Sequence, residues 1–378
     1  MGDQPTGWGN DRRQEATVYP TIDPNAVHAL AFYQALKRTP PVGTYVLIAL
    51  NVAVFVLMAM SGLSLMDPSI DGLLRFGADF GPLTTHGQWW RMLTSMFVHI
   101  GLLHIGMNMY ILWVTGPFVE KLFGNVGFGV LYLLAGLGGS LTSLAWHPTT
   151  VSAGASGAIF GVFGGLLAFL LMQRDAIPAG RAGPLFRNAA IFLVYNLIYS
   201  AAKSNVDMGA HIGGFVAGFL VGCVLAQPFA ASGESRMARA AMVLVCGLAL
   251  TAFAARKLPV YDDLTAELNT LSKIETDSVQ RFNDLLGSIK AGKMTGAQFD
   301  DVVEQQILPA WNAELAHMQK MRLDGRQKEV AGELIHYMTV RGEAWSTMGR
   351  GMRENDMGLV RQANEKQREA DAIVAGMK

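Results

Sequence analysis

A chain of 378 residues with 51% hydrophobic and 16% charged residues and a mean hydropathy of +0.27 is too apolar for a water-soluble domain, in which about a quarter of residues are charged. A formal net charge of zero and a pI of about 7.1 exclude the basic surplus of a nucleic-acid binder and the acidic tail that would seek a basic partner. The charge is also uneven: residues 41–256 hold 17 of the 60 charged side chains and residues 257–378 hold 35, so the middle of the chain reads as embedded in a lipid bilayer and the end does not.

Residues 1–40 are polar and lack the basic stretch followed by an apolar run that marks a cleavable signal peptide. They are predicted to be a flexible cytoplasmic tail. The uncharged run from Val42 to about Gly62 is long enough to cross about 30 Å of hydrocarbon as a helix. The same test predicts further spans at about 92–115, 127–146, 156–173, 189–202, 209–226 and 238–255. The fold class is therefore all-α, a polytopic bundle of seven membrane helices occupying residues 41–256. Both cysteines, Cys223 and Cys246, lie inside apolar runs and read as small core hydrophobes rather than a disulfide or a thiolate metal site.

Positive residues are retained on the cytoplasmic side. If seven helices alternate, Lys37, Arg38, Lys121, Arg174, Arg181, Arg187, Arg236 and Arg239 share one side, with only Arg75, Arg91 and Lys203 in loops on the other. The expected orientation puts the amino terminus in the cytoplasm and residues 257–378 outside. That last region carries apolar residues at helical spacing, such as Leu264, Leu268, Leu271 and Ile274, and is predicted to form an extracytoplasmic domain of amphipathic helices. Nothing in its residues names a partner.

Polar side chains inside a bilayer are costly and need a cavity or a partner. His104 and Asn108 are four residues apart in the second span, on one helical face. Ser156 opens the fourth span and His211 begins the sixth. With spans 2, 4 and 6 all running inward, Ser156 and His211 start at matched depth on the outer side. A serine and a histidine so placed can act as nucleophile and general base if their helices approach closely. Gly214, Gly218 and Gly222 follow His211 as a stripe, and Gly157, Gly161 and Gly164 form a smooth face beside Ser156; small residues let membrane helices pack backbone to backbone. The free N–H groups that begin Ser156's helix can stabilise an oxyanion, and His104 and Asn108 are donors of the type that completes such a hole. No carboxylate within a span orients His211; Asp207, one turn earlier at the membrane surface, reads as a helix cap rather than as a third catalytic member. His99, a turn before His104, reads as a structural hydrogen-bonding residue, and Glu120 as a hydrogen-bond hub at the inner surface. His99, His104 and His211 are accompanied by no carboxylate or thiolate within reach, so no metal is expected.

The ordered set Trp90-Arg91, His99, His104, Asn108, Glu120 after Gly116, Gly154-Ala155-Ser156-Gly157 and Ala210-His211-Ile212-Gly213-Gly214 resembles the rhomboid intramembrane serine proteases over about residues 72–226. The resemblance implies a six-helix core plus a seventh helix, a dyad of Ser156 and His211, oxyanion stabilisation by His104 and Asn108, and structural roles for Trp90, Arg91 and Glu120. It implies transmembrane helices of other, single-span proteins as substrates, cut near their extracytoplasmic end, no cofactor, and residence in a cell membrane, for a bacterium the inner one. Phe160 stands where many bacterial relatives carry tyrosine; its ring can still stack under the histidine. A catalytically inactive relative that binds and escorts membrane helices is the alternative, and it would be expected to lack Ser156 or His211. A transporter would be expected to carry inverted repeats, of which the sequence has none.

Overall fold

The structure, a computed structural model, describes residues 24–174, 182–201, 206–229 and 232–377, with residues 2, 177 and 180. The expectation of a flexible segment over residues 3–23, and Arg181 and Lys203 in the orientation argument, lie outside the described residues. Pro24–Arg38 is a helix, α1, whose Phe32 is buried in an edge-to-face contact with Phe229 at 5.7 Å. The predicted flexible tail therefore does not extend over these residues.

All the regular structure among the described residues is helical. After α1 come α2 (Val42–Met60), the short helices α3 (Ile70–Arg75), α4 (Gly81–Thr85) and α5 (Arg91–Thr94), then α6 (Leu102–Trp146), α7 (Ser156–Met172), α8 (Ala182–Ala201), α9 (Met208–Leu225) and α10 (Gly233–Ala255). At 45 residues α6 would run about 68 Å if straight, twice what a bilayer needs. It is broken at Gly124, whose φ of 76° and ψ of 162° are non-helical. A side chain at 124 would meet open space, so the glycine is there for its backbone angle rather than for room. The break yields two spans, and with α2, α7, α8, α9 and α10 the described residues contain the seven helices expected of the membrane region.

The boundaries differ in one informative place. The second span begins at Leu102, not near 92. Gly101, at φ 86°, turns the chain into the helix, and a Cβ there would sit 2.5 Å from the carbonyl oxygen of Met66. Residues 70–101 are instead a loop of short helices held by Arg91, whose guanidinium donates to the carbonyls of Leu74 at 2.7 Å and Ala78 at 2.9 Å. Hydropathy sees the apolar run but not the buried arginine that folds it back.

The helices bury their faces against α6, α7 and α9 and turn apolar side chains outward. Val46, Leu50 and Leu57 on α2 and Val245, Leu250 and Phe253 on α10 are exposed, as lipid contact requires. Cys246 is on that outer face of α10 rather than in the core, and Cys223 is half-buried.

The centre is a seam between α7 and α9. A Cβ on Gly214 would lie 2.0 Å from the carbonyl oxygen of Gly157, one on Gly218 2.2 Å from that of Gly161, and one on Gly222 2.7 Å from the Cα of Gly165. The two backbones are in direct contact over three turns.

Beyond α10 a second bundle has its own core. It consists of α11 (Leu264–Lys290), α12 (Gly296–Val302), α13 (Leu308–Met318), α14 (Gly325–Glu354) and α15 (Met357–Gly376). Trp311, Trp345, Tyr337 and Phe299 fill it, and the Trp311 indole donates to the Met338 carbonyl at 2.8 Å. The link between the bundles is not free. Leu258 packs against a cluster that includes Met92, Leu144 and Ala255, the Tyr261 N–H donates to Thr85 Oγ1 at 3.3 Å, and Asp262 lies 3.8 Å from His86 while accepting from the Arg322 N–H at 2.7 Å. The second bundle thus leaves α10 at the end of the molecule where Ser156 lies.

The seam makes a test of its own. Gly218→Ala should lower the melting temperature in detergent, by the equivalent of about 1–3 kcal/mol or more for an overpacked core. Gly129→Ala, at a helical position with open space around it, should leave it unchanged or raise it by the equivalent of up to about 1 kcal/mol. Circular dichroism melts of the two variants check this.

Candidate active site

Ser156 is delivered by residues 147–155, which are stitched to the 70–101 loop. Gly81 N–H donates to the Pro148 carbonyl at 2.8 Å, Asp79 and Ser152 exchange two backbone hydrogen bonds of 2.8 Å, and Gly154 N–H donates to the Ser95 carbonyl at 2.9 Å. The Ala155 N–H donates to His99 Nε2 at 3.4 Å. His99 is completely buried, and burial together with the neighbouring His104 pushes it down to about 3. It is therefore neutral, which fits Nδ1–H donating to the Phe97 carbonyl at 3.3 Å while Nε2 accepts.

Gly154 has φ 131°, open only to glycine at low cost. A Cβ there would sit 2.7 Å from His104 Cε1, 2.9 Å from His104 Nε2 and 3.7 Å from Asn108 Nδ2. The backbone just ahead of the serine is thus pressed against both side chains. His104 Nδ1 accepts from the Ile100 N–H at 3.3 Å, which leaves Nε2 as the protonated, donating nitrogen on the Gly154 side. Asn108 is buried, and its amide nitrogen has no partner among the described residues. Two N–H donors converge on the space beside Gly154, one of them without an acceptor. A buried donor left unpaired costs about 1–3 kcal/mol, a cost that a bound oxyanion would remove.

His211 lies in the first turn of α9 and is buried. Its ring is stacked on Phe160, with centroids 4.2 Å apart and planes 13° from parallel. Phe160 is four residues after Ser156, so the imidazole stacks on a side chain one helical turn beyond the serine on the same face of α7. Below it, the Ala210 carbonyl oxygen approaches Gly157 of α7 and Gly139 of α6, where added Cβ atoms would come within 3.1 Å and 2.8 Å. Three helix backbones meet next to the serine and the histidine.

The other residues singled out lie apart from this pocket. Arg91 stands over the Trp90 ring at 4.7 Å, and Trp90 itself is half-exposed. Glu120 is fully buried at the opposite end of α6's first half, accepting from Gly43 N–H, Thr44 N–H, Thr44 Oγ1 and Asn125 Nδ2 at 2.6–2.8 Å; it caps α2.

The residues that sequence reading did not single out are Asp79 and the partners of Asp207. Asp79 is buried, accepts from Thr84 Oγ1 at 2.5 Å and leaves Oδ2 without a partner among the described residues. Burial pushes its carboxyl up to about 7; the Asp207 charge adds to the rise, and the Thr84 hydroxyl and Arg91 oppose it. Asp207 caps α9 and also accepts from Ser143 and Ser152. A cap can be read from local sequence, but partners 64 and 55 residues away cannot.

Comparison with known proteins points the same way. The model of the rhomboid domain matches residues 86–228. The chain is similar to rhomboid protease GluP of Bacillus subtilis (strain 168), 36% identical over 204 residues that make up 54% of this chain and 39% of that protein. It is similar to rhomboid protease AarA of Providencia stuartii, 30% identical over 190 residues, 44% of this chain and 66% of that one. RHOMBOID-like protein 5 of Arabidopsis thaliana is 40% identical over 109 residues, 28% of this chain and 35% of the relative. In each case the chain spans less than two thirds of the relative's length.

Asp79 gives a pH test with a definite sign. Its carboxyl is raised in the fold to about 7, so between about pH 4 and 7 the folded protein holds a proton that the unfolded chain has released. This contribution to stability is present at low pH and is lost as pH rises through 7. Asp79→Asn should remove it, so that the melting temperature of the variant gains on that of the parent as pH goes from 5 to 8. Parallel melts across that range check it.

Proposed function

We propose, from the match of the rhomboid domain model to residues 86–228 and the likeness to rhomboid proteases, that the chain is an intramembrane serine endopeptidase that cuts transmembrane helices of other membrane proteins near their extracytoplasmic end. In this reading Ser156 is the nucleophile and His211 its general base. The observation that most supports it is the stack of His211 on Phe160, a residue one helical turn beyond Ser156 on α7.

The chemistry follows from the atoms already described. His211 takes the Ser156 hydroxyl proton as Oγ attacks the scissile carbonyl. The oxyanion that forms is met by Asn108 Nδ2–H and His104 Nε2–H, and by the unpaired N–H groups at the start of α7, donors fixed before the reaction begins. His211 then passes its proton to the leaving amine, and water, activated by the same imidazole, releases the acyl group. A helical peptide bond is shielded and already hydrogen-bonded, so the substrate helix must unwind locally. Residues that weaken a helix should therefore govern which substrates are cut more than any one side chain does.

The orientation we adopt has the amino terminus cytoplasmic and the Ser156 end of the bundle extracytoplasmic. Residues 41–256 form the protease unit and residues 257–378 an extracytoplasmic helical domain. The contacts of Tyr261 with Thr85 and of Asp262 with His86 in the 70–101 loop support a shared side for this domain and the active site.

Labelling with a fluorophosphonate and cleavage of a single-span reporter in proteoliposomes test the reading. Ser156→Ala and His211→Ala should each lose at least about 10³-fold in cleavage, and Asn108→Ala about 10²–10³-fold in kcat. A folded parent protein that neither labels nor cleaves would make the chain an inactive helix-binding relative instead.

A further inference from the structure

Outside the dyad itself, the supports of its two members meet at one carboxylate. Asp207 Oδ1 accepts from the Ala210 N–H at 2.9 Å, capping the turn of α9 that carries His211. Its Oδ2 accepts from Ser143 Oγ at 2.6 Å, in the last turn of α6, and from Ser152 Oγ at 2.5 Å, four residues ahead of Ser156. A carboxylate can only accept, so both serine hydroxyls must donate to it, and such charge-assisted bonds are the short, strong kind. The negative charge also suits a helix N-terminus.

We propose that Asp207 is a positioning residue for the reaction: it fixes the distance between Ser156 and His211 by clamping the loop that delivers the serine and the end of α6 to the first turn of the histidine's helix. The inference rests on the dyad reading above. The geometry assigns this task to Asp207 because the loop's bonds to Asp79, Gly81, Ser95 and His99 all tie it to the 70–101 segment, whereas the Ser152–Asp207 bond ties it to the helix that carries His211. Ser152 is bonded through its backbone to Asp79 and through its side chain to Asp207, and Gly154, two residues on, is pressed against His104 and Asn108. The titratable groups that the Asp207 charge reaches are Asp79 from the 70–101 loop and His211 from α9, with Arg91 acting on the first and His104 on the second. Any change in its charge is therefore readable in a pH profile.

The experiment compares Asp207→Ala, Asp207→Asn and Ser152→Ala with the parent, measuring reporter cleavage and the rate of fluorophosphonate labelling well below each variant's melting temperature. Asp207→Ala should lower kcat by 10- to 100-fold with KM unchanged and slow labelling in proportion. Asp207→Asn can still accept from Ala210 and accept or donate with the serines, and should stay within about fivefold of the parent with the same pH profile. Ser152→Ala leaves the helix cap intact and should still lose about tenfold, which keeps the test open if Asp207→Ala does not fold. Parental labelling by a less stable Asp207→Ala would reduce the residue to a helix cap and overturn the proposal. An Asn variant as inactive as Ala, with a shifted pH profile, would overturn it too, by making Asp207 a charge partner of the imidazole. Full cleavage by Ser156→Ala or His211→Ala in the same assay would instead sink the dyad, a separate failure.

Discussion

Backbone-to-backbone contact between α7 and α9 is the constraint on which the rest of the molecule depends. With Gly157 and Gly161 against Gly214 and Gly218, the two backbones touch at these positions without a side chain between them. In lipid there is no hydrophobic drive to hold helices together, so close van der Waals approach must do it. The contact also sets the geometry of the pocket: His211 precedes Gly214 by three residues and Ser156 precedes Gly157 by one, so registering the glycines registers the serine and the histidine. Phe160, on α7, then fixes the plane of the imidazole.

Around this seam the polar groups divide into those already satisfied and those held ready. Glu120, with four donors, and Arg91, with two backbone carbonyls, close off the loops they sit in. The Asn108 amide nitrogen and the His104 Nε2 edge, by contrast, point at the backbone of Gly154 with donor capacity to spare. In the proposed reading these donors await a charge that exists only during the reaction, which a structural network does not do.

Much of this was legible in the sequence. The helices are long apolar runs, and the spacing of His104 with Asn108 and of His211 with its glycines survives translation into three dimensions because helical periodicity is local. What could not be read was set by long-range contacts. The second span loses its first ten expected residues because Arg91 and Gly101 shape residues 70–101 into a loop. Cys246 faces outward because a lipid-exposed helix is apolar all round and offers no sequence signal for its inner side. Asp207 reads as a cap, whereas its bonds to Ser143 and Ser152 depend on where two other segments end. Asp79 had no signal at all, since its burial comes from the strand-like pairing with Ser152.

The attachment of the second bundle bears on how the protein can be dissected. Thr85 accepts the Tyr261 N–H on one side and donates to the Gly81 carbonyl on the other, while Gly81 in turn holds Pro148. Cutting the chain after residue 256 therefore strips a ligand from a threonine only two hydrogen bonds removed from the segment that presents Ser156. A shortened protein is in that sense a mutant of its own loop, and a fair control for the missing helices has to end beyond Asp262.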